Sequence, residues 1–133
     1  MRDEGRYYQV RKFNRRFLNQ MMLKFAGGRF FAVVYHQGRK SGHEYRSPVI
    51  ALPTNDGFLI PLTYGSDTDW CRNARTAGEF TLKWQREMHR LGAPELVDLS
   101  TVSSVLPSWM WLAMRLSRTK QGLQAKHVPL EKE

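Results

Sequence analysis

The sequence predicts a small, mainly β domain with flanking helices, an α+β arrangement in which antiparallel strands build a barrel. Three observations carry this reading. Between residues 30 and 98, short stretches rich in aromatic and β-branched residues are separated by glycine-centred turns. Helical periodicity is confined to the two ends, at 7–26 and 100–117. The length, 133 residues, suits one domain. Residues 1–28 are read as an amphipathic helix, 29–98 as the barrel core, and 99–133 as a C-terminal helix with a basic tail.

In the N-terminal segment, Val10, Phe13, Phe17, Met21 and Phe25 recur at spacings of three and four and form one stripe, and Gly27-Gly28 supplies a stop. Such a helix suits either a core or an anionic membrane surface. Phe30 to His36 reads as a strand, Gly38 to Gly42 as a glycine-bounded basic loop, and Glu44 to Pro53 as a second strand. Asn55-Asp56-Gly57 is a hairpin turn, followed by a strand from Phe58 to Tyr64 in which Pro61 points to an edge or a bulge. Asp67 and Thr68 are candidate caps for a short helix, Asp69 to Ala77, that stops at Gly78. Phe80, Leu82 and Trp84 alternate with polar residues as in a half-buried strand. Met88 to Val97 continues the sheet, bent near Gly92-Ala93-Pro94. In the last helix, 100–117, Trp109, Trp111, Leu112 and Leu116 supply the apolar surface, with Pro107 near its start or at a kink. The chain beyond Ser117 reads as a loosely held tail.

The chain carries 21 Lys and Arg against 12 Asp and Glu, a net charge of +9, with seven basic and two acidic side chains in residues 1–28. This balance predicts an anionic partner: nucleic acid, an acidic membrane surface or a phosphorylated small molecule. Cys71 is the only cysteine, which excludes an intramolecular disulfide and a zinc site of the cysteine-pair type. There is no apolar run near the ~20 residues of a membrane span, and Arg2-Asp3-Glu4 does not open a secretory leader. The expectation is a cytoplasmic protein, with contact through residues 7–26 to the inner membrane face as a further option.

Two constellations carry chemistry. Gly38-Arg39-Lys40-Ser41-Gly42 combines a guanidinium fork, an ammonium, a hydroxyl and two permissive backbone positions, which together suit a phosphate; Arg46 follows within reach. The same pattern also suits a solvated basic turn. It lacks the spacing of a Walker loop. The second, Thr63 to Asn73, places hydroxyls, Gly65, a helix start and the Trp70 indole within eleven residues. A self-capped surface helix with Trp70 in the core fits it equally. His36, His43, His89 and His127 are scattered and mark no metal site, and Cys71 has no base beside it, so it reads as an inert thiol.

Val33 to Gly42, then Tyr45-Arg46-Ser47-Pro48-Val49, then Tyr64 to Trp70 with Asn73 and Ala77-Gly78, resemble the family of deazaflavin-dependent nitroreductases and quinone reductases, over about residues 15–99. The resemblance implies a split β-barrel like those that bind flavin mononucleotide, often a homodimer. It also implies the 8-hydroxy-5-deazaflavin coenzyme (coenzyme F-420), with flavin mononucleotide (FMN) as the alternative cofactor. It carries the phosphate onto Arg39, Lys40 and Ser41, and runs the cofactor along Tyr45, Arg46, Ser47, Pro48, Val49 and Ile50. It sets Leu62, Thr63, Tyr64 and Gly65 beside the ring, and closes the pocket with Asp69, Trp70, Cys71, Arg72 and Asn73. Hydride would pass to a quinone, enone or nitro compound, with Tyr64 or Ser47 as candidate donors to the developing charge. Ile50 stands where nitroimidazole-activating members carry tyrosine, which argues against that substrate range. The resemblance gives no substrate contacts beyond Leu99; Trp109, Trp111 and Met114 either line the open side or pack in the core. Two other functions fit the residues less well. One is a non-catalytic carrier of a lipid or tetrapyrrole. The other, less favoured, is a nucleic-acid-binding barrel using Lys83-Trp84-Gln85-Arg86.

Overall fold

The apolar–polar alternation that begins at Phe31 becomes the first strand of a computed structural model that describes residues 29–129. The elements are β1 (Phe31–Gln37), β2 (Glu44–Ile50), β3 (Leu52–Pro53), β4 (Gly57–Pro61), α1 (Asp69–Ala77), β5 (Glu79–Trp84), β6 (Glu87–Asp98), a 3-10 segment (Leu99–Val105), α2 (Ser108–Leu116) and β7 (Gln121–His127). The helix expected over 7–26 lies outside the described residues.

All seven strands form one antiparallel sheet in the order β2-β1-β5-β6-β7-β4-β3. Its two edge strands are neighbours in sequence, separated by Ala51 alone. Laid flat, a seven-strand sheet would hold its edges ~29 Å apart, whereas one residue spans ~3.5 Å. The sheet must therefore curl until β2 and β3 come together, and the result is a barrel-like β fold carrying a few helices. The Ala51 N–H donates to the Phe30 carbonyl at 2.8 Å and fixes this corner. The single strand expected from Glu44 to Pro53 is thus two strands on opposite edges.

Two cores follow from the curl. One is enclosed by the sheet and α1, and includes Val34, Phe58, Ile60, Leu82, Leu91, Leu123, Trp70, Cys71 and Ala74. The other lies between the outer face and α2, with Ile50, Leu52, Leu59, Leu99, Leu106, Met110, Ala113 and Met114. Strand β4 serves both, so all five of its residues are buried and it reads as a continuous apolar run. The hairpin turn at Asn55–Gly57 holds, closed by Thr54 N–H to the Gly57 carbonyl at 2.8 Å. The bend in β6 is a register shift between Gly92 and Glu95, with Ala93 at φ 50°.

Three expectations are corrected. Pro61 ends β4 rather than marking an edge or bulge, so the strand expected to run to Tyr64 stops three residues earlier. In α2 the buried face is Met110, Ala113 and Met114; Leu112 and Leu116 are 55% and 76% exposed, and Trp109 and Trp111 are half-buried. The supposed basic tail contains β7, which pairs with β6 on one side and β4 on the other. It buries Leu123 and Ala125 in the inner core, while Gly122 faces the outer one, where a Cβ would stand 2.9 Å from a Leu99 methyl and 3.0 Å from a Leu59 methyl.

Candidate functional site

Strand β1 buries Ala32, Val34 and His36 on one side, so its alternation carries a histidine into the core at the strand end. A buried imidazole requires hydrogen-bond partners, and two elements supply them. From α1, whose buried stripe is Trp70, Cys71, Asn73 and Ala74, Asn73 Nδ2 lies 2.9 Å from His36 Nδ1. From β2, Ser47 Oγ lies 2.9 Å from His36 Nε2. Asn73 reaches onward to the basic loop: its Oδ1 accepts from the Arg39 backbone N–H at 3.2 Å and from Arg39 Nη1 at 2.8 Å. Asp69 Oδ1 stands 3.8 Å from the same guanidinium nitrogen.

The loop is therefore tied to α1. Gly42 turns it at φ 76°, and a Cβ on Gly38 would stand 2.6 Å from Ser41 Oγ and 3.0 Å from the Tyr45 ring, so a side chain there would displace Ser41. Ser41 Oγ accepts from the His43 N–H at 3.1 Å and lies 3.4 Å from the Tyr45 hydroxyl. Arg46 lays its guanidinium over the Tyr35 ring, 5.0 Å from the centroid. Between loop, β2 and α1 is a cavity of about 400 Å³, lined by His36, Gly38, Arg39, Lys40, Ser41, Tyr45, Arg46, Ser47, Asp69 and Asn73. Arg39 and Lys40 face the single Asp69 carboxylate across it, so the lining is net positive, while the Arg46 guanidinium is turned onto Tyr35 rather than toward the loop as expected.

Further along β2 lies a second opening, a narrow cleft of about 20 Å³, enough for about one water. Pro48, Val49 and Ile50 form one wall, Pro61 to Gly65 another, and Thr68 and Trp70 the end. Thr68 occupies the N-cap position of α1, but its side chain caps nothing; neither expected cap, Asp67 or Thr68, closes the helix by a side-chain bond. The Thr68 hydroxyl is buried without a hydrogen-bond partner among the described residues.

The structure brings together nearly all the residues singled out from sequence. Arg39, Lys40, Ser41, Tyr45, Arg46, Ser47, Asp69 and Asn73 line the cavity, while Pro48, Val49, Ile50, Leu62, Thr63, Tyr64, Gly65 and Trp70 line the cleft. Two lie outside both. Cys71 is fully buried in the inner core, where burial raises its thiol pKa against the opposing pull of Arg75. Arg72 points to solvent. The reading from sequence missed His36, Thr68 and Pro61. The signal for His36 was present: it continues an apolar alternation, and a polar residue on that face needs partners.

Burial lowers the His36 pKa, partly offset by the Asp69 carboxylate, so the imidazole is neutral at pH 7. Among the described residues no cluster of His, Cys, Asp and Glu could hold a metal ion, and no helix is long and apolar enough to cross a membrane.

No family model and no curated protein matches this chain. A solved structure of similar fold is the protein Atu2129, of unknown function, from Agrobacterium tumefaciens. The TM-score is 0.51 at 14% identity, over 73% of this chain and 47% of that protein. The chain thus spans about half the length of that structure, and the likeness concerns the fold alone.

Proposed function

We propose that this chain binds a phosphate-bearing deazaflavin, the 8-hydroxy-5-deazaflavin coenzyme, and acts as a reductase of a small oxidised acceptor on a split β-barrel. The observation that carries the reading is the cavity in which Arg39 is aimed by Asn73 beside Lys40, with the cleft at Thr68 next along β2, Ser47 lining the one and Pro48 the other. Phosphate binds the Arg39 fork and the Lys40 ammonium. Pro48 to Ile50, Leu62 to Gly65 and Trp70 border the flat ring and shield it from water. The buried, unpartnered Thr68 hydroxyl is the polar group a heteroatom of such a ring would satisfy.

The bound coenzyme supplies hydride, which suits a site with little acid–base machinery. Ser47 lies at the phosphate end and Tyr64 in the cleft, so Ser47 belongs with binding and Tyr64 with the acceptor. The cleft is narrow, and admitting a tricyclic ring requires the Leu62–Gly65 turn, closed by the Gly65 N–H on the Leu62 carbonyl at 3.0 Å, to move outward.

Fluorescence titration with oxidised and reduced deazaflavin coenzyme, with FMN in parallel, tests this. Saturable binding of the deazaflavin in preference to FMN is expected. Binding of FMN alone, or of neither, sinks the cofactor assignment. Tight binding without turnover of any quinone, enone or nitro acceptor would make the chain a carrier.

A further inference from the structure

We propose that His36 is the positioning residue of this site: joined to Asn73 and Ser47, it turns the Ser47 hydroxyl proton into the cavity as a fixed hydrogen-bond donor. The inference rests on reading the cavity as an anion site, and it follows from donor–acceptor accounting along one chain of side chains.

The accounting starts at Arg39. A backbone N–H and a guanidinium N–H can only donate. Both meet the same atom of Asn73, at 3.2 and 2.8 Å, so that atom is the amide oxygen. The other amide atom is then the nitrogen, a donor, and it faces His36 Nδ1 at 2.9 Å. Nδ1 must accept, so it carries no proton, and in a neutral ring the proton sits on Nε2. Nε2–H donates to Ser47 Oγ at 2.9 Å. A serine hydroxyl ordinarily rotates to suit any neighbour. Here one lone pair is taken, so the hydroxyl proton points away from His36, toward the cavity that Ser47 lines.

The consequence is chemical. The register of proton positions set by the Arg39 backbone reaches Ser47 without a break, through Asn73, 34 positions away in sequence, and His36. The cavity then presents the Arg39 fork, the Lys40 ammonium and the Ser47 hydroxyl as donors, which selects an acceptor-only group such as a phosphate or carboxylate oxygen over a neutral donor. Burial of His36 keeps the ring uncharged and the register single.

Ring-nitrogen NMR of the ¹⁵N-labelled chain at pH 7.5 tests the tautomer with no ligand present. His36 should show a protonated Nε2 and an unprotonated Nδ1; the opposite tautomer or an imidazolium overturns the proposal. Binding tests the consequence, with inorganic pyrophosphate and the deazaflavin coenzyme as probes. Ser47→Ala should weaken both by ~10-fold, the loss of one hydrogen bond to a charged group. His36→Leu should weaken them similarly, and the double variant no further. His36→Gln offers an acceptor on one side and a donor on the other, and should stay within ~3-fold of the parent. Should His36→Leu fail to fold, Ser47→Ala and the tautomer still decide. Additive losses, or an unchanged Ser47→Ala, refute it. Pyrophosphate following this pattern while the coenzyme fails to bind would sink the cofactor reading and leave the role of His36 standing.

Discussion

Two histidine-bearing ends of the barrel hold their imidazoles by different means. At the C-terminal end of β1, buried His36 has a hydrogen-bond partner on each ring nitrogen. Near the other end, where Trp84 pairs with Ala32, half-buried His89 is packed among rings, with its Nδ1 3.4 Å from His127 Nε2 as the ring's one hydrogen bond among the described residues. Phe58 lies 5.0 Å from it, Trp84 6.1 Å and His127 5.4 Å, measured between centroids, and Phe58 meets Trp84 edge-on at 5.3 Å. His89 Nε2 has no hydrogen-bond partner among the described residues; Glu87 stands 3.9 Å away. Ring packing is broad and tolerant of direction. A hydrogen-bonded chain assigns each proton a place. The aromatic end contributes stability, and the polar end fixes the direction of its hydrogen bonds.

The sharpest way to break that contrast is Phe58→Ala. Phe58 is 2% exposed at the centre of the ring cluster, and its loss should cost ~3–5 kcal/mol of stability in a denaturant titration. Pyrophosphate affinity of the folded fraction should be unchanged; a comparable loss of affinity would show the two ends to be coupled.

The reverse pattern is expected of Arg39→Ala combined with Lys40→Ala. Coenzyme affinity should fall by ~2–4 kcal/mol, read by titration, with little change in the denaturation midpoint. Unchanged affinity would move the phosphate elsewhere.

Asn73→Ala should do both in smaller measure. It strips a partner from buried His36 and from Arg39, costing ~1–3 kcal/mol of stability, and it loosens the loop that binds the anion. A variant that lost stability but kept full affinity would separate the loop from the network.

A weaker effect is expected from pH. The folded pKa of His36 lies below its unfolded value of 6.5, so the unfolded chain takes up the proton first. The stabilisation is present above about pH 6.5 and is lost as pH falls through the lowered pKa. His36→Gln should flatten that limb of the stability profile, read from denaturation midpoints across pH; an unchanged profile would mean that burial of His36 does not set it.

The smallest change is expected at Leu116→Ser. Leu116 is 76% exposed on α2, and the substitution should stay within ~0.5 kcal/mol by thermal or chemical denaturation. A larger loss would mean that this face is covered.

How much was legible varies along the chain. Where side chains of one character repeat at the period of the local element, the reading was close. Phe80, Leu82 and Trp84 mark β5, and Asp69 to Ala77 with Gly78 at φ 82° gives α1 and its stop. The anion loop was legible for a different reason. Its glycines and cations are contiguous in sequence, so the site's chemistry is local even though its shape is not. Strand β7 was not legible because its neighbours on both sides supply most of the apolar surface. Between β6 and β4, Leu123 is the one large apolar residue the strand buries; Gly122 and Ala125 need only be small enough to fit. The buried face of α2 was read in part: Trp109 and Trp111 pack against the outer core as one of the two expected options, but Leu112 and Leu116 face outward and Met110 and Ala113 were missed, being outweighed in apolar bulk. The helix docks by the face the sheet can accommodate.

By itself, then, the sequence determined β5, α1 with its stop at Gly78, the basic loop and the excess of positive charge, because these depend on neighbouring residues and on composition. Tertiary structure alone decided that the sheet closes at Ala51, that β7 completes it, and that Asn73 meets both Arg39 and His36. Each of these depends on residues far apart in the chain. A hydrogen-bonded chain of that kind has no period and no spacing. It exists only once a buried imidazole has to find partners, and which partners it finds is set by how the sheet curls around α1.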